Sequence, residues 1–426
     1  MMGRRTTPRA RAAWRARVAI TSVVLLWSWA AQAAEPLGGR PLNLNDCVAI
    51  GLERQPAIAA ARYSYGAAAA AQQGINGLPA FAGLLSRDLP TRREQASWGV
   101  NIAAAAVDLA KWETRYAVAR NFYSVMYAHT QGDLLDKVVQ KLKAARDKAQ
   151  TFLEDPNIKV KDLKVSDLDI KNLDVLIATY QARQMEASVG LKKAIAALRE
   201  AMAVDDCPLV LIQAPLEVSI IELECRQVTA LALERRGEMV QVNSALQVTN
   251  LEIEAQRRLF FKMQTKTFAS ASDVHSKPIP QGIANGEYRP GAIGLEMPVF
   301  MVGKRSDRVD RAEQFHGRAT SVVDKTQNLV VLDAEIAFYN WEQAVGRIKH
   351  LEQARKVAVD YSSLANKRFL ESNGKMAPDE LVRARTLEEQ TLATYNEALY
   401  AHLLALAALE RVTAGGIPFS LPVNDQ

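Results

Sequence analysis

The sequence predicts a mainly α fold built from two long helical hairpins, and three observations lead to that prediction. Aromatic residues make up only 7% of the chain, which favours long helices over a β-sandwich. Two long stretches contain no internal proline, so each is expected to be one long helix. They run from Pro90 to Pro156 and from Pro298 to Pro378. Finally, short motifs recur in the same order along the chain, which indicates a duplication.

The recurring motifs show where the two copies differ. Leu52-Glu53-Arg54 returns as Leu233-Glu234-Arg235, an offset of 181 residues. Ala178-Thr179-Tyr180 returns as Ala393-Thr394-Tyr395, an offset of 215. The second copy therefore carries about 35 extra residues, placed between its first and second helical arms.

The predicted organisation has five parts. They are a signal peptide at 1–33, a first repeat at 42–206, a linker at 207–224, a second repeat at 225–413 and a tail at 414–426.

The first 33 residues have the pattern of an export signal. Six arginines precede an apolar stretch from Val18 to Ala31, and Ala31-Gln32-Ala33 offers a small-residue cleavage site. The formal net charge of the whole chain is +6, so loss of the leader leaves a neutral mature chain. Basicity therefore gives no support to nucleic-acid binding.

In the first repeat a helix is expected from about Leu44, with Asn45 or Asp46 as its N-cap, and it runs to about Gln73. The long helix that begins near Pro90 turns at Asp155, and a return helix capped by Ser166 and Asp167 follows. Each long helix would span roughly 90 Å at the α-helical rise, so the helices must lie along one another.

The insertion in the second repeat, at about 259–300, contains the clearest strand pattern. Apolar and polar residues alternate over two segments, as in a strand with one apolar face. The apolar positions are Phe261, Met263, Thr265, Ile293, Leu295 and Met297. A soluble hairpin and a pair of membrane strands both fit this pattern. The matching place in the first repeat, Asn76 to Gly99, lacks the alternation, so its strand pair is expected to be shortened or missing.

Several local motifs, taken in order, resemble the outer-membrane efflux proteins, the TolC-like channels. Leu44 to Pro56 is similar to the opening helix of that family, and Gly294 to Phe300 is similar to its strand-to-helix junction. Arg368 to Gly374, followed by Asp379-Glu380-Leu381, is similar to a helical tip. The resemblance covers about residues 42 to 423.

The resemblance implies a homotrimer whose helices form an α-barrel or coiled-coil tunnel across the periplasm. Strands from the three chains would close a barrel in the outer membrane. The tips would meet a periplasmic adaptor protein and an inner-membrane pump, in a tripartite efflux or type I secretion system. The channel would be a passive conduit without a cofactor.

Two departures from the family leave alternatives open. With one strand pair instead of two, the chain could be a TolC-derived periplasmic helical scaffold without an open membrane barrel. The tips lack the family's usual turn but carry the acids Asp167, Asp169, Asp379 and Glu380. In a trimer these acids could form rings that gate the opening, or they could simply stabilise the helix N-termini.

No pattern in the sequence points to catalysis or to a metal site. The five histidines are scattered without metal-ligand spacing, and there is no phosphate loop or nucleophile elbow. The cysteines Cys47, Cys207 and Cys225 are an odd number, so the sequence does not define a disulfide pairing. Neither drug, metal nor polypeptide is favoured as the transported substrate.

Overall fold

A computed structural model describes residues 41–79, 81, 83, 86–155, 164–205, 209–211, 222–259, 303–372 and 374–417. Chain contacts divide the protein into two units. One contains Met1–Pro41 and Cys207–Leu211 and is described only at residues 41 and 209–211. The other contains Leu42–Asp206 and Ile212–Gln426 and holds all the helices discussed below. The predicted signal peptide lies outside the described residues.

Eight helices are present in the described part of the second unit, four in each repeat. In the first repeat they are α1 Leu44–Arg54, α2 Pro56–Asn76, α3 Leu89–Glu154 and α4 Asp167–Met202. In the second repeat they are α5 Cys225–Arg235, α6 Gly237–Arg258, α7 Arg305–Glu371 and α8 Pro378–Val412. Each helix of the first repeat has a counterpart of nearly equal length in the second. The duplication predicted from the sequence therefore extends to the folded structure.

The long helices begin and end close to the predicted positions. α3 has 66 residues and α7 has 67, so each is about 100 Å long at the α-helical rise. Ser166 caps α4 as expected, because its hydroxyl accepts a hydrogen bond from the backbone N–H of Asp169. Pro378 occupies the first turn of α8, where a missing backbone N–H has no consequence.

The start of the first repeat differs from the prediction in two details. The N-cap of α1 is Asn43, and Asp46 is the third helical residue of its capping box; neither Asn45 nor Asp46 is the cap. The helix also ends at Arg54, since Gln55 precedes Pro56 and has an extended backbone. The side-chain amide of Gln55 donates to the carbonyl of Ala201, 3.1 Å away, which holds this bend against the end of α4.

The connection between the second and third helices is where the repeats diverge. Only 12 residues separate α2 from α3, whereas 46 residues separate α6 from α7. α3 already begins at Leu89, so half of the place that would hold strands in the first repeat is helical. The shortened strand region of the first repeat is therefore confirmed. The strand residues predicted in the second repeat, Phe261 to Met297, lie outside the described residues.

The helices of the second unit pack side by side in a consistent order. Towards the hairpin tips, α4 packs on α3, α3 packs on α8, and α8 packs on α7. Towards the other end, α2 packs on α3, α3 on α6, and α6 on α7. The two repeats are therefore joined through α3, which contacts both α6 and α8. α4 and α7 are the outermost helices of the tip-side order.

Candidate functional site: the hairpin tips

The tips of the two hairpins are joined to each other. The backbone N–H of Lys164, just before α4, donates to the carbonyl of Gly374, just before α8, at 2.8 Å. Gly374 has φ of +81°, a left-handed conformation that strains any residue with a Cβ. A glycine in the second tip therefore allows its loop to turn and to offer this carbonyl to the first tip.

An apolar cluster behind the tips fixes their position. Phe152 of α3 and Phe369 of α7 meet edge to face with ring centroids 5.7 Å apart. Leu173 of α4 and Leu381 of α8 are also buried in this cluster, so all four long helices contribute to it. Aromatic pairs of this geometry add about 0.5–1.5 kcal/mol beyond their buried area.

The structure places the four acids predicted for the tips in the first turns of α4 and α8. Asp169 belongs to the capping box of α4, since its carboxylate accepts from the backbone N–H of Ser166 at 2.8 Å and from its hydroxyl at 2.6 Å. Asp167, Asp379 and Glu380 are exposed on the surface. None of the described contacts joins one of these carboxylates to another. Asp169 thus has the local capping role, and the role of the other three is a matter for the assembled protein.

A buried carboxylate that the sequence analysis missed joins three helices above the tips. Glu388 of α8 accepts from the ammonium of Lys141 on α3 at 2.7 Å and from the hydroxyl of Ser362 on α7 at 2.6 Å. Arg385 adds a longer contact at 3.2 Å. Burial alone would raise the pKa of Glu388, but the hydrogen bonds from Lys141 and Ser362 together outweigh it and lower the pKa below its ordinary value.

The neighbouring residue, Glu389, connects α8 to the first hairpin in a second way. Its carboxylate accepts from the hydroxyl of Tyr180 on α4, 3.1 Å away. Burial and the charge of Glu389 raise the pKa of Tyr180, so this phenol stays protonated and remains a donor. Successive glutamates thus link α8 to α3, α7 and α4 at one level of the bundle.

A second buried ionic cluster lies at the opposite end of the helices. The guanidinium of Arg92 on α3 forms a bidentate pair with Glu252 on α6 and also contacts Asp88 at 3.0 Å. Gln95 and Gln256 donate to the same Glu252 carboxylate, at 3.0 and 2.6 Å. The charges are therefore paired and hydrogen-bonded, as buried charges must be. This cluster anchors the first repeat to the second beside the predicted strand region.

One signal in the sequence could have revealed this cluster. Positions 245, 249, 252 and 256 follow helical steps of three and four residues and form one buried face of α6. A glutamate and a glutamine on a face that otherwise holds Ala245 and Thr249 indicate buried partners. The partners themselves lie about 160 residues away along the chain, so the pattern identifies the face without identifying Arg92.

Nothing in the described residues forms a metal site. No group of three or more histidine, cysteine, aspartate or glutamate residues in the described ranges could hold an ion. Cys47 is a buried free thiol, and burial raises its pKa to about 12, so it is not a reactive nucleophile. None of the described helices is both long and apolar enough to cross a membrane.

Comparisons with known proteins agree with this architecture. The family model described as "Outer membrane efflux protein" matches residues 228–415, which is nearly the whole second repeat. No curated protein matches the chain.

Solved structures match over both repeats. A membrane protein from Pseudomonas aeruginosa superposes with a TM-score of 0.66 at 15% identity, covering 87% of this chain and 93% of that one. The open state of the Neisseria gonorrhoeae MtrE outer membrane channel gives 0.65 at 16% identity, with 88% and 89% covered. The Vibrio cholerae outer membrane protein VceC gives 0.64 at 12% identity, with 88% and 97% covered. The predicted fold class, duplicated helical hairpins of the TolC-like kind, is confirmed.

Proposed function

We propose a function from the premise that this chain belongs to the outer membrane efflux proteins, the family whose model matches its second repeat. The chain is the outer-membrane and periplasmic channel component of a tripartite efflux or type I secretion system. It is a passive conduit, and an inner-membrane partner supplies the energy. The observation that carries this proposal is the pair of equivalent hairpins, each with a helix about 100 Å long.

The physical argument for a conduit concerns how little of each long helix is committed to a core. The helices pack side by side, and buried residues occupy only one stripe along each of them. Such helices enclose a lumen when several copies stand in a ring. We propose a homotrimer, with most of each chain in the periplasm and the segments around Phe261 and Ile293 in the outer membrane.

The tips are the end that would meet a periplasmic adaptor and an inner-membrane pump. Their position is well defined, because the Lys164–Gly374 hydrogen bond and the Phe152–Phe369 contact hold the two turns together. In a ring of copies, exposed Asp167, Asp379 and Glu380 would place repeated negative charge around the opening. Rings of carboxylates favour cations in a pore.

Conductance in planar lipid bilayers tests the channel. The full-length mature protein is expected to give discrete openings, and the variant Asp167→Asn with Asp379→Asn and Glu380→Gln is expected to lose cation preference without losing conductance. A matched control is Asp147→Asn, because Asp147 is exposed on α3 away from the first turns of α4 and α8. An unchanged cation preference would refute the role of the tip acids alone.

A second candidate function is a periplasmic helical scaffold with no open channel. The observation in its favour is the 12-residue connection between α2 and α3, compared with 46 residues in the second repeat. Two strands of about 9 residues and a turn cannot fit in 12 residues. A folded, assembled protein that never conducts in bilayers would support the scaffold and refute the channel.

A further inference from the structure

An apolar stripe on α4 has no partner among the described helices of the chain. Val175, Ala178, Ala182, Met185 and Val189 are all exposed, and Val175 and Met185 are exposed by 65% and 67%. Their spacing alternates between three and four residues, which is the spacing of a helix face that packs into another helix. The buried residues of α4 near this stretch, Ile177 and Tyr180 among them, lie on a different face.

α7 carries a second exposed stripe of the same kind. Ala354, Val357, Tyr361 and Leu364 follow the same spacing. Val357 is 62% exposed and Leu364 is 48% exposed, whereas Ala358 and Ala365 beside them are buried. The two helices with exposed stripes, α4 and α7, are the two outermost helices of the tip-side packing order.

Inside the chain, one helix of each repeat already packs in the way that these stripes require. α8 packs on α3, where the hydroxyl of Tyr400 lies 2.7 Å from that of Ser124. The ring of Tyr400 also stacks on Tyr127, and Gln131 donates to the carbonyl of Ala393. This internal contact joins the return helix of the second repeat to the long helix of the first.

The duplication relates this internal contact to the two exposed stripes. An offset of 215 converts Met185 and Ala178 of α4 into Tyr400 and Ala393 of α8. An offset of 216, which also relates the first residues of α3 and α7, converts Val357 of α7 into Lys141 of α3. The exposed face of α4 is therefore the counterpart of the face that α8 uses, and the exposed face of α7 is the counterpart of the face that α3 uses.

We propose that the stripe on α4 packs against the stripe on α7 of a second copy, in the register in which α8 packs against α3 within one chain. Met185 of one copy then lies beside Asn340 of the next, because these are the counterparts of Tyr400 and Ser124. Contact between different faces of identical chains is heterologous, and such contacts generate rings when the rotation closes. The inference deepens the proposed function, since it identifies the surface through which copies assemble.

The same correspondence shows that the two seams differ in chemistry. The seam inside the chain contains the Lys141–Glu388 ion pair and the hydroxyl pair of Ser124 and Tyr400. At the matching positions between copies stand Val357 and Leu173, and then Asn340 and Met185. The seam between copies is therefore the more apolar of the two.

Thiol cross-linking tests the register. Two tagged forms of the full chain, each without its three native cysteines, are expressed together, one with Asn340→Cys and the other with Met185→Cys. A short bismaleimide is expected to produce a dimer that carries both tags. The pair Ser124→Cys and Tyr400→Cys in one chain serves as the positive control, because its residues touch within the chain.

A register control uses the same α4 residue. Leu370→Cys replaces Asn340→Cys, since Leu370 is also exposed on α7 but lies about 45 Å further along the helix at 1.5 Å per residue. This pair is expected to give no dimer. Equal cross-linking of both pairs, or none from Asn340 and Met185 in an assembled protein, would overturn the proposed register.

The apolar character of the seam is tested by Val175→Asp. Because Val175 is mostly exposed within one chain, the change leaves the chain's own helicity intact but buries an unpaired charge on assembly. The assembled fraction at fixed concentration is expected to fall about tenfold or more. The matched control, Gln181→Asp, is exposed on the same helix outside the stripe and should assemble normally. Equal assembly of both variants would contradict the proposal.

These readouts do not depend on transport. Cross-linking in the predicted register without conductance would leave the seam in place while the channel proposal fails. Conductance without that cross-link would overturn the seam alone. A chain that stays monomeric would overturn both.

Discussion

Glu388 is predicted to be a main polar contributor to the joint between the repeats, and Glu388→Gln tests it. The carboxylate accepts hydrogen bonds from Lys141 and Ser362 at 2.7 and 2.6 Å, and its side chain is only 9% exposed. A hydrogen bond to a charged group contributes about 1.5–3 kcal/mol. Glutamine keeps the shape and one acceptor, and Lys141, which is 41% exposed, can return to solvent. We therefore expect a loss of about 2 kcal/mol in the free energy of unfolding.

The matched control is Glu397→Gln on the same helix. Glu397 pairs with Arg347 at 3.5 Å, and both side chains are well exposed. Exposed ion pairs of this kind contribute about 0.2–1 kcal/mol. Urea unfolding followed by helical circular dichroism, at one protein concentration for all variants, measures the difference. Equal losses in the two variants would refute the claim that burial makes Glu388 the stronger joint.

The lowered pKa of Glu388 adds a pH dependence of known sign. Because the pKa is lower in the folded chain than in the unfolded one, the stabilisation is present above the unfolded value of about 4.3. It is lost as the pH falls through the folded value. The stability difference between the wild type and Glu388→Gln should therefore shrink below about pH 4. A difference that is constant from pH 7 to pH 3.5 would contradict this assignment.

Three further substitutions test packing, backbone and capping. Phe369→Ala should cost about 3–5 kcal/mol and increase hydrogen exchange at both tips, whereas Leu370→Ala, 45% exposed, should change exchange little; protection that is equal in both would argue against the Phe152–Phe369 contact. Gly415→Ala should lower the melting temperature, because φ is +73° and a Cβ would lie 2.3 Å from the ring of Trp112. Gly132→Ala, where a Cβ meets nothing within 4 Å, should stabilise α3 by up to about 1 kcal/mol, so a shift of the same sign in both glycine variants would be wrong for this structure. Asn43→Ala should cost about 1 kcal/mol in urea unfolding through loss of the α1 cap, and an equal cost for Asn45→Ala would contradict the capping box.

The long helices could be predicted from the sequence because their signals are local. Proline-free stretches, the Ser166 cap and Pro378 all act within a few residues, and the helices begin and end close to them. The bend at Gln55 was equally local, since Gln55 precedes Pro56, but the apolar pattern of the first helix obscured it. The same weighting placed the N-cap two residues too late.

The buried polar contacts could not be predicted, because their partners are distant in the sequence. Lys141 and Glu388 are 247 residues apart, and Arg92 and Glu252 are 160 apart. Each of these residues looks like an ordinary charged position on a helix until the hairpins are packed. The repeat does not help either, since the counterpart of Glu388 is Leu173 and the counterpart of Lys141 is Val357. The polar residues arose in one copy only.

This one-sided divergence follows from the position of each repeat in the packing order. α3 and α8 are joined within every chain, so a buried ion pair there is formed once, during folding, with both partners always present. α4 and α7 are the outermost helices, and their matching faces remain exposed until another chain arrives. A buried charge on such a face would have to be desolvated at each association, which makes apolar residues the less costly choice for a contact between chains. A duplicated helical hairpin can therefore keep one geometry for both contacts while its two copies acquire different chemistry.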